Sequence, residues 1–264
     1  MYDNIWASFI FFTRLPFWRL HEPPKESYRT VVEHWPLTGW LTGGIMAAVI
    51  YFGGMILPHT IAVLMAIVAR LLITGALHED GLTDFFDGFG GGGNNRQRIL
   101  DIMKDSRTGT FGVVGIVMYL LILFFALTAM PAKLAALTVL AADPYSKMLA
   151  GQIIMMMPYA RTEEESKAHV VYRKMNIKAG ISLFIQGMAP LAPLVLTCWG
   201  LVRWDLIIFI PGLVMYFLYL LIWRRLRGYT GDCCGAMFLL IELSFYLTVS
   251  SQFFNNRQLW TLFS

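Results

Sequence analysis

The residues best suited to chemistry stand between His78 and Gly109, in the stretch HEDGLTDFFDGFGGGGNNRQRILDIMKDSRTG. Six of the chain's 17 acidic residues fall between Glu79 and Asp105. Read as a helix, Asp80, Asp84 and Asp87 form one narrow stripe, because side chains three and four apart share a face. Like charges so close repel, and one stays protonated unless a cation is bound. Hard oxygen ligands on one face suit Mg²⁺, with Mn²⁺ as an alternative. Gly81 and Gly88 then leave room for the phosphates of a ligand. Gly90–Gly93 is expected to break this helix. Asn94 reads as the next N-cap, with Gln97 as its capping-box partner. A second short helix places Asp101 and Asp105 four apart, again on one face. The result is a helical hairpin with carboxylates on both arms, able to hold two metals, or one metal and a general base.

Two other readings of the stretch are weaker. A solvated loop with acids at helix ends requires no such spacing. A nucleotide-binding glycine loop would need a preceding strand or a following Gly-Lys-Ser/Thr, and neither is present.

The rest of the chain must position this stretch, and its composition says how. It is 57% hydrophobic and 14% charged, with mean hydropathy +0.58, where soluble domains carry about 25% charged residues. That composition predicts an all-α, polytopic membrane protein forming a single unit over 1–264. Seven spans are expected, at about Leu37–Leu57, Thr60–Leu77, Phe111–Met130, Leu134–Met157, Ala179–Val202, Leu206–Trp223 and Ala236–Phe254. Their lengths fit a hydrocarbon core of about 30 Å. The second span is expected to run straight into the acidic stretch. Ile5–Phe12, short, aromatic-rich and followed by Arg14 and Arg19, reads as an interfacial helix. With Asp3 early and Arg14 close behind, Met1–Leu20 does not read as a cleavable signal. Three cysteines, Cys198, Cys233 and Cys234, have no metal-site spacing and read as small apolar residues.

Basic residues orient the seven spans. With the N-terminal segment inside, sixteen of the 21 Lys and Arg fall on the inner side and three, Lys133, Arg203 and Arg257, on the outer. By the positive-inside rule the acidic hairpin faces the cytoplasm. The other two, Arg70 and Lys147, lie within spans. Lys147 is expected to pair with Asp143, four residues before it, and Arg70 with Glu242 in the last span.

The aspartate pattern Asp84-x2-Asp87-Gly88…Asp101-x3-Asp105 partly resembles the signature of CDP-alcohol phosphotransferases, but Phe89–Gly93 lacks the Ala-Arg which that family carries there. A longer resemblance covers nearly the whole chain. FFTRLPFW, HWPLTGWLTGG, LITGALHEDGLTDFFDG, RILDIMKDSRTGTFGVVG, PYARTEEE and GYTGDCCGA together resemble the cobalamin synthase family. This chain departs from the family at Glu79, often apolar there, at Gly90–Gly93, at Lys147 where arginine is usual, and at Arg227 before Gly228.

The resemblance implies a bacterial inner-membrane transferase, an adenosylcobinamide-GDP ribazoletransferase, with its site facing the cytoplasm. It implies adenosylcobinamide-GDP and α-ribazole, or α-ribazole 5′-phosphate, as substrates, and GMP as leaving group. On that footing Asp80, Asp84, Asp87, Asp101 and Asp105 hold Mg²⁺, and Asp105 doubles as the base for a ribose hydroxyl. His78 polarises the site or binds phosphate. Arg96, Arg98, Lys104 and Arg107 clamp the diphosphate, and Arg161 and Asp232 contact the nucleotide. A second copy of the chain, or other enzymes of cobalamin assembly, are conceivable partners, and no nucleic acid is expected. A divalent-cation transporter would use the same carboxylates, but transporters place ligands near the bilayer midplane on broken helices, whereas these acids cluster at a span's end.

Overall fold

A computed structural model describes residues 2–162, 171–256, 258, 261 and 263. Lys167 and Arg257 of the charge count, and the three glutamates ending PYARTEEE, lie outside the described residues. Twelve α-helices follow in order among those residues: α1 (Tyr2–Phe12), α2 (Trp35–Gly53), α3 (His59–Thr74), α4 (Leu77–Gly91), α5 (Arg96–Lys104), α6 (Thr110–Thr128), α7 (Ala132–Gly151), α8 (Ile153–Met156), α9 (Ile177–Met188), α10 (Leu191–Cys198), α11 (Trp204–Leu226) and α12 (Gly231–Asn255). Two 3₁₀ segments, Phe17–Arg19 and Lys25–His34, join α1 to α2. The chain is all-helical, as expected, and the described residues form no strand.

Among the described residues, four helical segments are long and apolar enough to cross a membrane, or up to six if two bent helix pairs each count as one span. Seven were expected. The expected span that fails the test is α7, and the reason is physical. α7 carries Asp143, Pro144, Ser146 and Lys147, and all four are buried inside the protein. It is covered by α2, α9, α10 and α12, so its sequence answers to protein neighbours and not to lipid. The outer helices are the converse. α6 and α11 expose Phe111, Val114, Phe125, Phe209 and Phe217, as lipid-facing surfaces do. α1 has 11 residues, too few to cross a membrane, which takes about 20. It packs on the 3₁₀ segment, where the buried Ser8 hydroxyl donates to the Val31 carbonyl at 2.7 Å.

Small residues let α2 meet α7 closely. A β-carbon on Gly39 would stand 2.7 Å from Asp143 Oδ1, and one on Gly43 would stand 3.0 Å from Asp143 Cβ. Behind them Lys147 Nζ donates to Asp143 Oδ1 at 2.5 Å and to Thr42 Oγ1 at 2.9 Å, and lies over the Phe238 ring. The expected Asp143–Lys147 pair is therefore present and tied to both neighbouring helices.

Arg70 is tied more widely. From α3 its Nη1 donates to Glu242 Oε2 of α12 at 2.6 Å, and its Nη2 donates to the Tyr119 hydroxyl of α6 at 2.9 Å and more weakly to Glu79 Oε1 of α4 at 3.4 Å. The expected Arg70–Glu242 pair is present. Glu79, the residue out of step with the family pattern, is the second carboxylate on the same guanidinium. All four side chains are buried.

α3 does not run straight into the acidic stretch. The two helices meet at 90°. Gly75 and Ala76 both take the left-handed conformation, with φ of +64° and +54°. Gly75 is needed there twice, for its φ and because the Arg14 side chain crosses where a β-carbon would be.

Removing one partner of a buried ion pair costs about 3–5 kcal/mol, because the other charge is left uncompensated. Arg70→Met strands two carboxylates and is expected to lose stability on that scale. Glu79→Gln leaves the Arg70–Glu242 pair and is expected to lose much less. Thermal unfolding of both variants in the same detergent measures the difference, and equal losses would contradict the account.

Candidate active site

The hairpin forms as the sequence suggested, with shifted joints. α4 continues through Gly91, and Gly93 makes the turn with φ of +58°. The N-cap of α5 is Asn95, not Asn94, and its side chain accepts from the Arg98 amide at 3.1 Å. Gly88 does not make room for phosphate. It lies against Met103 and Ile99 and brings α4 onto α5. Gly81 likewise serves packing, since a β-carbon there would stand 3.1 Å from Asp232 Cα. Gly235 of α12 meets the His78 backbone in the same way. The close approach of α4 and α12 places His78 and Asp80 opposite Asp232.

Three arginines hold the hairpin through backbone carbonyls, Arg96 from within it and Arg161 and Arg225 from outside. Arg96 donates to Leu226 O at 2.7 Å and to Ala160 O at 2.6 Å. Arg161 donates to Leu100 O at 2.7 Å. Arg225 donates to Phe89 O at 3.1 Å and to Gly93 O, at the C-terminal end of α4 where a cation is favoured. Arg96 was expected to clamp a diphosphate, but its guanidinium is committed to these carbonyls. Arg98 and Lys104 are exposed on α5, with no side-chain partner among the described residues.

The five aspartates divide. Asp87 is buried and accepts from the Gly109 amide at 2.6 Å and the Gly112 amide at 2.8 Å, so it caps α6. Both of its oxygens, expected to ligate metal, are thus engaged with backbone amides. Asp80 is exposed, and Asp84 is half-buried further along α4. Asp101 is exposed and accepts from Gln97 at 2.9 Å. Asp105 ends α5 and accepts from Arg107 through Nη2 at 2.7 Å, through Nε and through the backbone amide at 3.0 Å. Those hydrogen bonds hold its carboxyl down at about 2. At neutral pH Asp105 is an ionised acceptor, held too low to be a strong base.

Among the described residues no three His, Cys, Asp or Glu side chains stand together as a metal-holding group. The donors are nevertheless the oxygen type that Mg²⁺ prefers, and Mg²⁺ commonly takes one or two carboxylates and completes its shell with water and phosphate. Asp80, Asp84, Asp101 and Asp105 fit that mode, and Asp87, with both oxygens on amides, fits it least.

Beside the hairpin lies a cavity of about 130 Å³. Asp80, His78, Asp232 and Arg161 line it together with rings from α1, α2 and the loops. A short parallel bridge between Tyr159 and Tyr229 ties the Arg161 loop to the start of α12. Phe12, Trp35, Tyr159 and Tyr172 were not singled out from the sequence, being far from the acids along the chain. The available signal was that Phe12, Trp35 and Tyr159 lie within FFTRLPFW, HWPLTGW and PYARTEEE.

The model of the cobalamin-5-phosphate synthase family matches residues 4–250. An adenosylcobinamide-GDP ribazoletransferase of Vibrio parahaemolyticus is 35% identical over 243 residues, spanning 90% of this chain and 88% of that protein. One from Shewanella woodyi is 34% identical, spanning 90% and 91%. One from Leptospira interrogans is 30% identical, spanning 94% and 95%. No solved structure gives a significant match.

Two contrasts test the division of the aspartates. Asp87→Ala is expected to lower stability by about 1–2 kcal/mol, the scale of a lost N-cap, whereas Asp80→Asn, at an exposed carboxylate, leaves the unfolding transition in place. Thermal unfolding of both variants separates them. Arg107→Gln removes the guanidinium donors, the largest cause of the depression, but keeps the residue-107 backbone amide, so the Asp105 pKa rises part of the way toward the usual carboxylate value of about 3.9. Interactions that need ionised Asp105 are present above that value and lost as pH falls through it, whereas in the parent they persist down to about pH 2. A carboxyl titration followed by NMR reads the shift, and an unmoved Asp105 would refute the pairing.

Proposed function

The chain belongs to the cobalamin-5-phosphate synthase family, and on that premise we propose that it joins α-ribazole, or its 5′-phosphate, to adenosylcobinamide-GDP. A ribose hydroxyl oxygen forms a bond to the cobinamide-side phosphorus of the diphosphate. The bond from that phosphorus to the bridging oxygen breaks, GMP leaves with the oxygen, and the hydroxyl proton is lost. The products are adenosylcobalamin, or its 5′-phosphate, and GMP. The observation that carries the reading is the hairpin, which carries aspartates on both arms and brings Asp80 to the cavity, in a chain similar to ribazoletransferases along nine-tenths of its length.

Asp80 and Asp84 on one arm, and Asp101 and Asp105 on the other, would hold Mg²⁺, with Mn²⁺ as an alternative. Bound there, the ion supplies the positive charge that lets an anionic diphosphate share a site with carboxylates and stabilises the departing GMP. Arg98, Lys104 and Arg107, exposed on the same arm, steer and orient the diphosphate. Arg107 also keeps Asp105 ionised. Arg96 and Arg161 act by holding the hairpin against α11 and its neighbouring loop. His78 and Asp232, across the cavity from each other, position the nucleotide end. The base that takes the hydroxyl proton is better sought in Asp80 or Asp84 than in Asp105.

Seven spans, α2, α3, α6, α7, α9 with α10, α11 and α12, fit the excess of Lys and Arg on the side of the hairpin. That threading lays α1 in the interface and turns the site to the cytoplasm of a bacterial inner membrane, where nucleotide-activated substrates are made.

Purified protein in liposomes, given Mg²⁺, adenosylcobinamide-GDP and α-ribazole 5′-phosphate, is expected to release GMP and form the corrinoid product. Asp84→Asn is expected to lower turnover at least a hundredfold while the protein still inserts. Failure of the parent to release GMP, together with metal uptake into sealed vesicles, would replace the transferase by a transporter.

A further inference from the structure

The cavity beside the hairpin is built more specifically than a gap between helices. Phe12, Trp35 and His78 line it, and their rings lie nearly parallel, with interplanar angles of 13–21° and centroids 5.1–6.0 Å apart. Trp35 and His78 are 1% and 4% exposed. Trp35 Nε1 and His78 Nε2 are both buried and meet no hydrogen-bond partner. An orphaned ring nitrogen costs stability unless something supplies its bond. Two of them in the lining of one cavity point to a ligand with polar atoms on a flat, apolar frame.

Charge decides which part of a ligand enters. Asp80, exposed in the lining, repels phosphate. The one arginine in the lining among the described residues, Arg161, is bonded to Leu100 O. Size limits the ligand further. Sites for whole drug-sized molecules run to about 300–1,000 Å³, and this one is about 130 Å³. A single ring system fits, and a corrin does not.

We propose that this cavity is a base slot, taking the planar bicyclic heteroaromatic base of one of the two nucleotide substrates while its phosphate lies outward on the hairpin. The proposal rests on the transferase reading and names a subsite for it. Two sources share this chemistry. A guanine edge offers N–H donors to the Asp232 carboxylate. The base of α-ribazole offers a ring nitrogen as acceptor to Trp35 Nε1–H. Stacking on the ring wall serves both.

The test measures binding apart from turnover. GMP and α-ribazole 5′-phosphate are titrated by calorimetry into the parent and into variants of three lining residues, Phe11→Ala, Trp35→Phe and Asp232→Asn, each in lipid nanodiscs. One probe is expected to lose at least tenfold in affinity with Phe11→Ala while the other stays within twofold. Loss with Asp232→Asn assigns the slot to guanine, and loss with Trp35→Phe assigns it to the ribazole base. In steady state the KM of that substrate rises and kcat holds within threefold. Trp35→Phe keeps a ring in the core, so its unfolding temperature shows whether a loss is local. Unchanged binding of both probes in all three variants, or equal losses for both, overturns the slot. If the parent binds a probe selectively in this pattern but releases no GMP from the full substrates, the transferase reading falls and the slot stands. Normal turnover with unaltered binding sinks the slot alone.

Discussion

A guanidinium sealed among four helices constrains everything else in this molecule. Arg70 reaches from α3 to Glu242, Tyr119 and Glu79 on α12, α6 and α4. A buried cation must find its partners inside the protein, since neither lipid nor trapped chain can solvate it. The helices are therefore assembled around one donor fork from α3, and the other three each contribute an acceptor. The second buried pair, Lys147 with Asp143, does the same for α2 and α7 through Thr42. Apolar packing alone would bring the helices together, but helices in lipid lack a hydrophobic force that favours one arrangement. The ion pairs choose the arrangement.

The site inherits that choice. Glu79 lies in the first turn of α4, between His78 and Asp80. Its contact with Arg70 holds the start of the acidic helix against α3, and the 90° turn at Gly75 and Ala76 sends the rest of the helix away from the α3 axis. Gly81 and Gly235 then allow α12 to approach closely. The far end of α4 is held by Arg225, and its partner α5 by Arg96 and Arg161. A hairpin that looks like a loop between spans is thus fastened at its start, its tip and its second arm.

Much of this was legible in the sequence, and the parts that were not have physical reasons. The apolar runs, the helical hairpin, the Asp143–Lys147 pair and the Arg70–Glu242 pair follow from hydropathy, spacing and the cost of isolated charge. The turn after α3 was hidden because Gly75-Ala76 reads as ordinary helix, and its cause, Arg14, lies far away along the chain. Asp87 looked like one more member of a carboxylate stripe. Spacing places it on the stripe but cannot reveal that the amides of Gly109 and Gly112 fold back onto it. The ring wall was hidden because Phe12, Trp35 and His78 come from three segments that only the tertiary fold unites. α7 was legible as a span by length, yet its burial makes hydropathy a poor guide to its surroundings.

Successive side chains of an α-helix diverge by about 100°. In α4, His78 and Asp80 line the cavity while Glu79, between them, is bonded to Arg70. Two neighbours thus face the cavity and the one between them faces Arg70, which makes the helix unable to roll about its own axis. A rotation by one residue would swing Glu79 toward the cavity and leave Arg70 short of an acceptor. α4 is a fixed jaw. Any widening of the cavity would then fall to its other walls, α1 and the Tyr159–Arg161 loop.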